Sequence, residues 1–367
     1  MRAKLGGIAA AITIEVLGAA YGDAIWIECA RDGRPWRMVV DGGPPEAAGA
    51  LEARLDALAP GERVLDVVVV SHIDSDHIGG MLPLLAREDI EVGDVWFNAL
   101  AQLPAPGESL TRSVGEGEDL VELLTGVSRS RPLPWNRVVD GRAVATSADR
   151  TFRELTMPGG PRITLLSPTP KRLLALRRVW DEALTRLQRG EPEELEPPAP
   201  PEPLGDLAAL AATETANDTS IPNGSSIAFL LEHRGASCLL GADAFPTVLG
   251  GALWALANAR GGRPVAVDAV KLPHHGSQKN VSAKLLMVVS SKQFLISTNG
   301  ERFGHPDDVS LARAVTAGGP GTTLWFNYPA TAKTRRWSDP GLDERYEIAT
   351  RFADSNGSTR VELPERT

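Results

Sequence analysis

The residues with the most chemical potential lie in Ser71-His72-Ile73-Asp74-Ser75-Asp76-His77-Ile78-Gly79-Gly80, directly after four valines, Val67 to Val70. The valine run predicts a fully buried strand. The turn after it would then carry two imidazoles and two carboxylates to the strand's end. Burying four such groups is costly unless a cation or partners offset their desolvation. A metal is the simplest explanation.

Ligand-type side chains recur after other apolar runs. Five of the six histidines, His72, His77, His274, His275 and His305, sit in turns containing glycine, aspartate or proline. The run from Val265 to Leu272 reads as a strand leading into Pro273-His274-His275-Gly276-Ser277, and Cys238 to Leu240 leads into Gly241-Ala242-Asp243. Strand ends that present polar side chains are where open α/β sites form. Asp41, before Gly42-Gly43, is read either as a turn residue or as an orienter of a ligand. His305, before Pro306, either caps a helix over 307–314 or faces substrate. Lys271 and Lys279 are expected to be solvated, and His233 to be a surface histidine in a hairpin. The aromatics of Trp96-Phe97 and Leu324-Trp325-Phe326-Asn327-Tyr328 are expected in the core.

The elements that must position these residues are legible from periodicity. Strands are predicted over 12–16, 24–29, 38–41, 67–70 and 237–240, and helices over 109–124, 170–187 and 247–259. Strands first, then strands alternating with helices, suit a layered α/β domain with mixed sheets. The stretch 190–222 is acidic and Pro/Ala-rich and is read as an insertion or flap within one domain spanning 1–367. Arg2 and Lys4 before the apolar stretch 6–20 imitate a signal peptide. Glu15 interrupts that stretch, and the alternation over 12–16 predicts a first strand, so a cytoplasmic location is expected. No segment is apolar enough over sufficient length to span a membrane.

Composition narrows the partners. A net charge of −9 excludes a protein that coats nucleic acid nonspecifically, since that mode needs lysines and arginines to replace counterions. It does not exclude a nuclease whose bound cations supply positive charge locally. The two cysteines, Cys29 and Cys238, both fall in apolar strands and are expected to be buried and unpaired.

The ordered motifs resemble the metallo-β-lactamase-fold hydrolases. The family pattern His-x-His-x-Asp-His stands here as His72-Ile73-Asp74-Ser75-Asp76-His77, with aspartate at the second ligand position. That form, followed by Gly-Gly, resembles the hydrolase domain of ComEC-type DNA-uptake proteins. So do Gly22-Asp23-Ala24, Val40-Asp41-Gly42-Gly43, Leu240-Gly241-Ala242-Asp243, Leu272-Pro273-His274-His275-Gly276-Ser277 and Phe303-Gly304-His305-Pro306. The resemblance implies a four-layer αββα sandwich with two mixed β-sheets. It implies two divalent ions, Zn2+ or Mn2+: His72 and Asp74 on the first, Asp76 and His77 on the second, Asp243 bridging, and one of His274 and His275 completing the second. We assign that place to His274 and give catalytic roles to Asp76, His275 and His305. The family's usual third histidine has no evident counterpart, and Asn223 fits the position where the ComEC-like group has asparagine. Asp41, Asn223 and Ser277 are assigned to support the ligands or meet substrate.

Two such ions would lower the pKa of a water between them and stabilise an in-line displacement. The expected function is therefore phosphodiester hydrolysis, on nucleic acid or a nucleotide-like substrate. Lactone, amide or ester hydrolysis by the same ligands is the alternative, and a catalytically weak nucleotide- or partner-binding module is another.

Overall fold

The computed structural model describes residues 9–104, 116–147, 151–189, 204–331, 333–354 and 357–366. Alternation of side chains along the predicted strands sorts them into two sheets. The first has the order Thr359–Pro364, Ala10–Val16, Ala24–Cys29, Trp36–Gly42, Val67–Val69, Val95–Trp96. The second runs Ala349–Phe352, Thr323–Phe326, Gln293–Ile296, Ala269–Lys271, Ala236–Leu240, Ala228–His233, Arg162–Ser167, Arg153–Thr156. Each mixes parallel and antiparallel pairs.

Inner faces meet through Ile14, Ile27, Met38, Val40, Val69, Ile163, Phe229, Cys238 and Leu240. Residues one step along point outward and are covered by helices: Val39 and Val68 pack with Leu51 and Leu84, and Leu239 and Val270 with Leu253 and Leu311. Two-faced burial explains why these strands read as continuous apolar runs. The result is helix, sheet, sheet, helix: the expected αββα sandwich with two mixed sheets.

The predicted boundaries hold with local changes. The run read as one strand over Val265 to Leu272 is split: Val265–Ala266 pairs with Val289–Ser290 in a separate ribbon, and only Ala269–Lys271 enters the large sheet. Lys271 is no surface lysine. It is 1% exposed and ion-paired at 2.8 Å with the equally buried Asp23, because its strand is central and both its faces are covered. His233 is half-buried, with its ring Nε2 at 2.6 Å from the Ala30 carbonyl. Both cysteines are buried and unpaired. The helix expected over 109–124 is described only as Glu116–Thr125, and residues 105–115 lie outside the described set.

Residues 190–203 of the anticipated insertion also lie outside the described residues. Its remainder packs on the body of the protein. Leu207–Ala211 is a helix with Asp206 capping its N–H groups, and the buried Arg313 donates to the carbonyls of Ala211 and Thr213. Among the described residues, no helix is long and apolar enough to cross a membrane.

Candidate metal centre

The strand Val67–Val69 delivers Ser71 and His72 to the edge of the sandwich, and the short helix Ser75–Ile78 presents Asp76 and His77. Asp74 stands at this helix's N-cap position, yet its carboxylate caps nothing there and reaches 3.4 Å from His72 Nε2. Glycines allow the turn to press this close. A Cβ on Gly80 would stand 2.0 Å from the Gly42 carbonyl oxygen, and one on Gly22 would stand 2.0 Å from that of Asp76.

Asp41 arrives by a β-bulge. Ala24 pairs with Gly42 and Ile25 with Val40, which leaves Asp41 as the extra residue, at φ 58°. Bulges re-aim side chains beside functional sites. This one turns the Asp41 carboxylate to accept from Ser71 N–H at 2.7 Å, Ser71 Oγ–H at 2.6 Å and His77 Nδ1 at 2.8 Å. Ala242, His274 and His275 also have positive φ, so left-handed backbone recurs on the loops that carry Asp41, Asp243 and the histidine pair. Such strained residues gather where surrounding structure holds side chains for a function.

Asp243 is the hub. Its Oδ2 lies 3.4 Å from His77 Nε2, 3.6 Å from His274 Nε2, 3.9 Å from His275 Nε2 and 4.0 Å from His72 Nε2. Two sets of ligand atoms fall within 4.8 Å of one another: His72, His77 and Asp243, and Asp76, His77 and His275. A third, Asp23 with Asp41 and His77, lies on the far side of the His77 ring, where the Asp41 carboxylate is engaged by Ser71 and His77.

The donor set fits metal ions. His72 Nε2, His77 Nε2, His275 Nε2 and Asp243 Oδ1 are buried and have no hydrogen-bond partner. Orphaned buried polar atoms are uncommon and demand a cause. Each ring is held from behind: His77 by Asp41, His72 by Ser71 Oγ at 3.0 Å, and His275 by the Ser297 carbonyl at 2.9 Å. Nitrogens so held aim the opposite ring nitrogen at a metal. The two candidate clusters meet at His77, which belongs to both, and Asp243 of the first lies 3.9 Å from His275 of the second, which makes a binuclear site.

His275, rather than His274, therefore stands in the set with Asp76 and His77. His274 is outside these sets. Its Nδ1 lies 2.9 Å from Asn280 Oδ1 and 3.6 Å from Asp218 Oδ2, and its ring meets that of His305 edge-on at 5.3 Å. His305 caps no helix, since Asp307 is the N-cap residue of Asp308–Gly318, and His305 Nδ1 is 3.4 Å from Asp307 Oδ2. Asn223 is buried beside the centre, donating to Asp218 at 2.8 Å with its Oδ1 unpartnered. Ser277 is buried, and its hydroxyl accepts from Lys279 N–H at 3.3 Å within its own turn.

Electrostatics follow from this packing. Burial alone would depress the His274 pKa, but the Asp243 carboxylate, helped by Asp218 and Asn280, holds it up at about 9. His77 is held well above the ordinary histidine value in the same way by Asp243, Asp76 and Asp41, against its own burial. Burial pushes His305 down, and positive charge on His274 and His275 adds to that effect. The Asp23 carboxylate overcomes its burial and is driven below the usual carboxylate range by Lys271 and His275.

Three groups beneath the site are absent from the sequence-based assignment. Asp23, 3.2 Å from His275 Nδ1, sits in the Gly22-Asp23-Ala24 segment that carries part of the resemblance, with no role assigned to it there. Asp218 and Asn280 belong to unremarkable polar loops, and only the fold brings them to His274. Asp41→Asn tests whether such groups orient ligands. Metal affinity, measured by competition with a chromophoric chelator, should fall roughly ten- to a hundredfold; an unchanged affinity would remove the orienting role.

A family model described as the metallo-beta-lactamase superfamily matches residues 37–300. No curated protein matches the chain. Among solved structures it is similar to a mutant of the CmlA beta-hydroxylase, at 14% identity and TM-score 0.39, covering 97% of this chain and 55% of that one. It thus spans about half of that protein's length. It is similar to the Rm3 metallo-beta-lactamase at 13% identity, covering 70% and 76% of the two chains with TM-score 0.29. For the metallo-beta-lactamase MIM-1 from Novosphingobium pentaromativorans the figures are 12%, 83%, 87% and 0.31. Scores and identities this low bear on no detail of the site.

Proposed function

Since this chain belongs to the metallo-β-lactamase superfamily and carries a binuclear candidate centre, we propose that it is a metal-dependent phosphodiesterase or nuclease. The observation that carries this reading is the ligand chemistry. Asp74, Asp76 and Asp243 stand among His72, His77 and His275, and Asp74 occupies a position where the resembled family places imidazole. The added carboxylate hardens the first position and favours manganese beside zinc.

We assign His72, Asp74 and Asp243 to one ion, and Asp76, His77, His275 and Asp243 to the other. Bound there, the pair would polarise a phosphoryl oxygen and lower the pKa of water for in-line attack. The chain's own residues supply the rest. Asp41 and the Ser297 carbonyl fix His77 and His275, and the Asn223 side chain marks the position left without a third histidine. His274 and His305 face the substrate side. Their rings meet edge-on at 5.3 Å, and paired imidazoles at that separation suit proton transfer to and from a leaving oxygen. The similarity to ComEC-type hydrolase domains, a single domain over 1–367 with 190–222 as an insertion, and a cytoplasmic location belong to the same reading.

The test is a substrate panel. Protein reloaded with Mn2+ or Zn2+ is assayed on single-stranded DNA, RNA, a cyclic dinucleotide and a chromogenic lactam. Cleavage of at least one phosphodiester, and none of the lactam, is expected. Turnover of the lactam alone would give the site to amide hydrolysis, and full metal occupancy without turnover would make the chain a binding module.

A further inference from the structure

A phosphodiester site leaves open what the substrate carries beside its phosphate, and the inference below rests on the phosphodiesterase reading. Of the aromatics that the sequence places at neighbouring strand ends, Trp96, Phe97 and Phe326 are at most 3% exposed, while Trp325 and Tyr328 are half-buried, the Tyr328 hydroxyl accepting from Ala20 N–H. Two other rings are partly exposed, Tyr21, two residues before Asp23, and Phe303, two residues before His305.

Ring contacts connect them to the centre. His274, 3.6 Å from Asp243, meets His305 at 5.3 Å between centroids; His305 lies 6.3 Å from Phe303 with their planes 30° apart; Phe303 meets Tyr21 edge-on at 5.7 Å. The Arg302 guanidinium lies over both outer rings, 4.7 Å from the Tyr21 centroid and 5.3 Å from that of Phe303. It also donates to the Tyr21 hydroxyl at 2.7 Å, and that hydroxyl donates to Glu46 at 3.0 Å. Asn299 N–H to the Ala20 carbonyl, and Ala20 N–H to the Tyr328 hydroxyl, tie the two loops together.

Such a platform is already ordered, so a ligand that stacks on it loses little affinity to loop ordering. Aromatic faces and guanidinium planes recognise flat heteroaromatic rings with little regard to their identity. A cation at this position also suits an anionic substrate in a chain of net charge −9. We propose that Tyr21, Arg302 and Phe303 form a nucleobase subsite. It stacks the base of the nucleotide next to the scissile phosphate, so the substrate is a nucleotide-type phosphodiester rather than a lipid or other base-free one.

The full-length, metal-loaded protein is titrated calorimetrically with AMP and with ribose 5-phosphate, which differ by the base alone. AMP should bind about tenfold more tightly. Phe303→Leu, which keeps apolar bulk and loses the π face, should bring the ratio toward one while ribose 5-phosphate affinity and metal content stay unchanged, and Arg302→Ala should bring the ratio toward one while weakening both ligands and leaving metal content unchanged. Equal affinities in the unmodified protein, absence of binding by both ligands, or a ratio that survives both substitutions would overturn the subsite. A chain that prefers AMP in this way but cleaves no phosphodiester would keep the subsite and lose the hydrolase reading.

Discussion

Asp243→Asn is expected to remove both metal ions at once and to lower hydrolysis by roughly a thousandfold or more, the loss of about 4 kcal/mol of transition-state stabilisation. The reason is its position. One carboxylate oxygen lies within 4.0 Å of four imidazole nitrogens contributed by His72, His77, His274 and His275, and the other oxygen is buried without a partner. An amide offers one weaker oxygen and no charge to either ion. Asp76→Ala makes the informative contrast, because the Asp76 carboxylate approaches two imidazoles, His77 at 3.9 Å and His275 at 3.5 Å, where Asp243 approaches four. It should leave about one ion per chain by elemental analysis after gel filtration, with activity still abolished. Two ions retained by Asp243→Asn would refute the shared position of this residue.

Metal removal should reverse the pH dependence of stability in the histidine range. Without metal, His77, His274 and His275 have pKa values raised by the surrounding carboxylates. A raised folded-state pKa gives stability that is fully present below the unfolded value near 6.5 and is lost as pH climbs through the folded one, about 9 for His274. The melting temperature of EDTA-treated protein should therefore fall from pH 6.5 to about 9. Metal ligation needs neutral imidazole, so ions displace the protons of His77 and His275 and bind more tightly as pH rises, about tenfold per unit for each proton released. The gap in melting temperature between loaded and stripped protein should widen over that window. A gap that narrows as pH rises would mean that the ions do not compete with these protons.

Much of the site was readable because its ligands are local to strand ends. Val67 to Val70 is apolar on both faces and the next polar residues are His72, Asp74, Asp76 and His77; no packing knowledge is needed to see that a buried strand ends in ligands. The close crossing at Gly42 and Gly80 came from the fold alone, which puts the Gly42 carbonyl where a Gly80 Cβ would be. Lys271 is a second such case. A lysine at a strand's end is most cheaply solvated, and only a central strand covered on both faces, with Asp23 brought from 248 residues away, holds it 1% exposed.

Sequence by itself determined the sandwich's period and the ligand-bearing turns, since burial on two faces and costly polar strand ends are properties of contiguous residues. It put His274 in the ligand place and His275 in a catalytic one with no physical ground for that order, and it gave no hint of Asp218 or Asn280. Those choices depend on which ring nitrogen meets which distant acceptor. His275 turns toward the Ser297 carbonyl and the Asp76 set, while His274 turns toward Asn280 and Asp218. Adjacent residues with almost the same backbone conformation were separated by partners that only the meeting of the two sheets could supply.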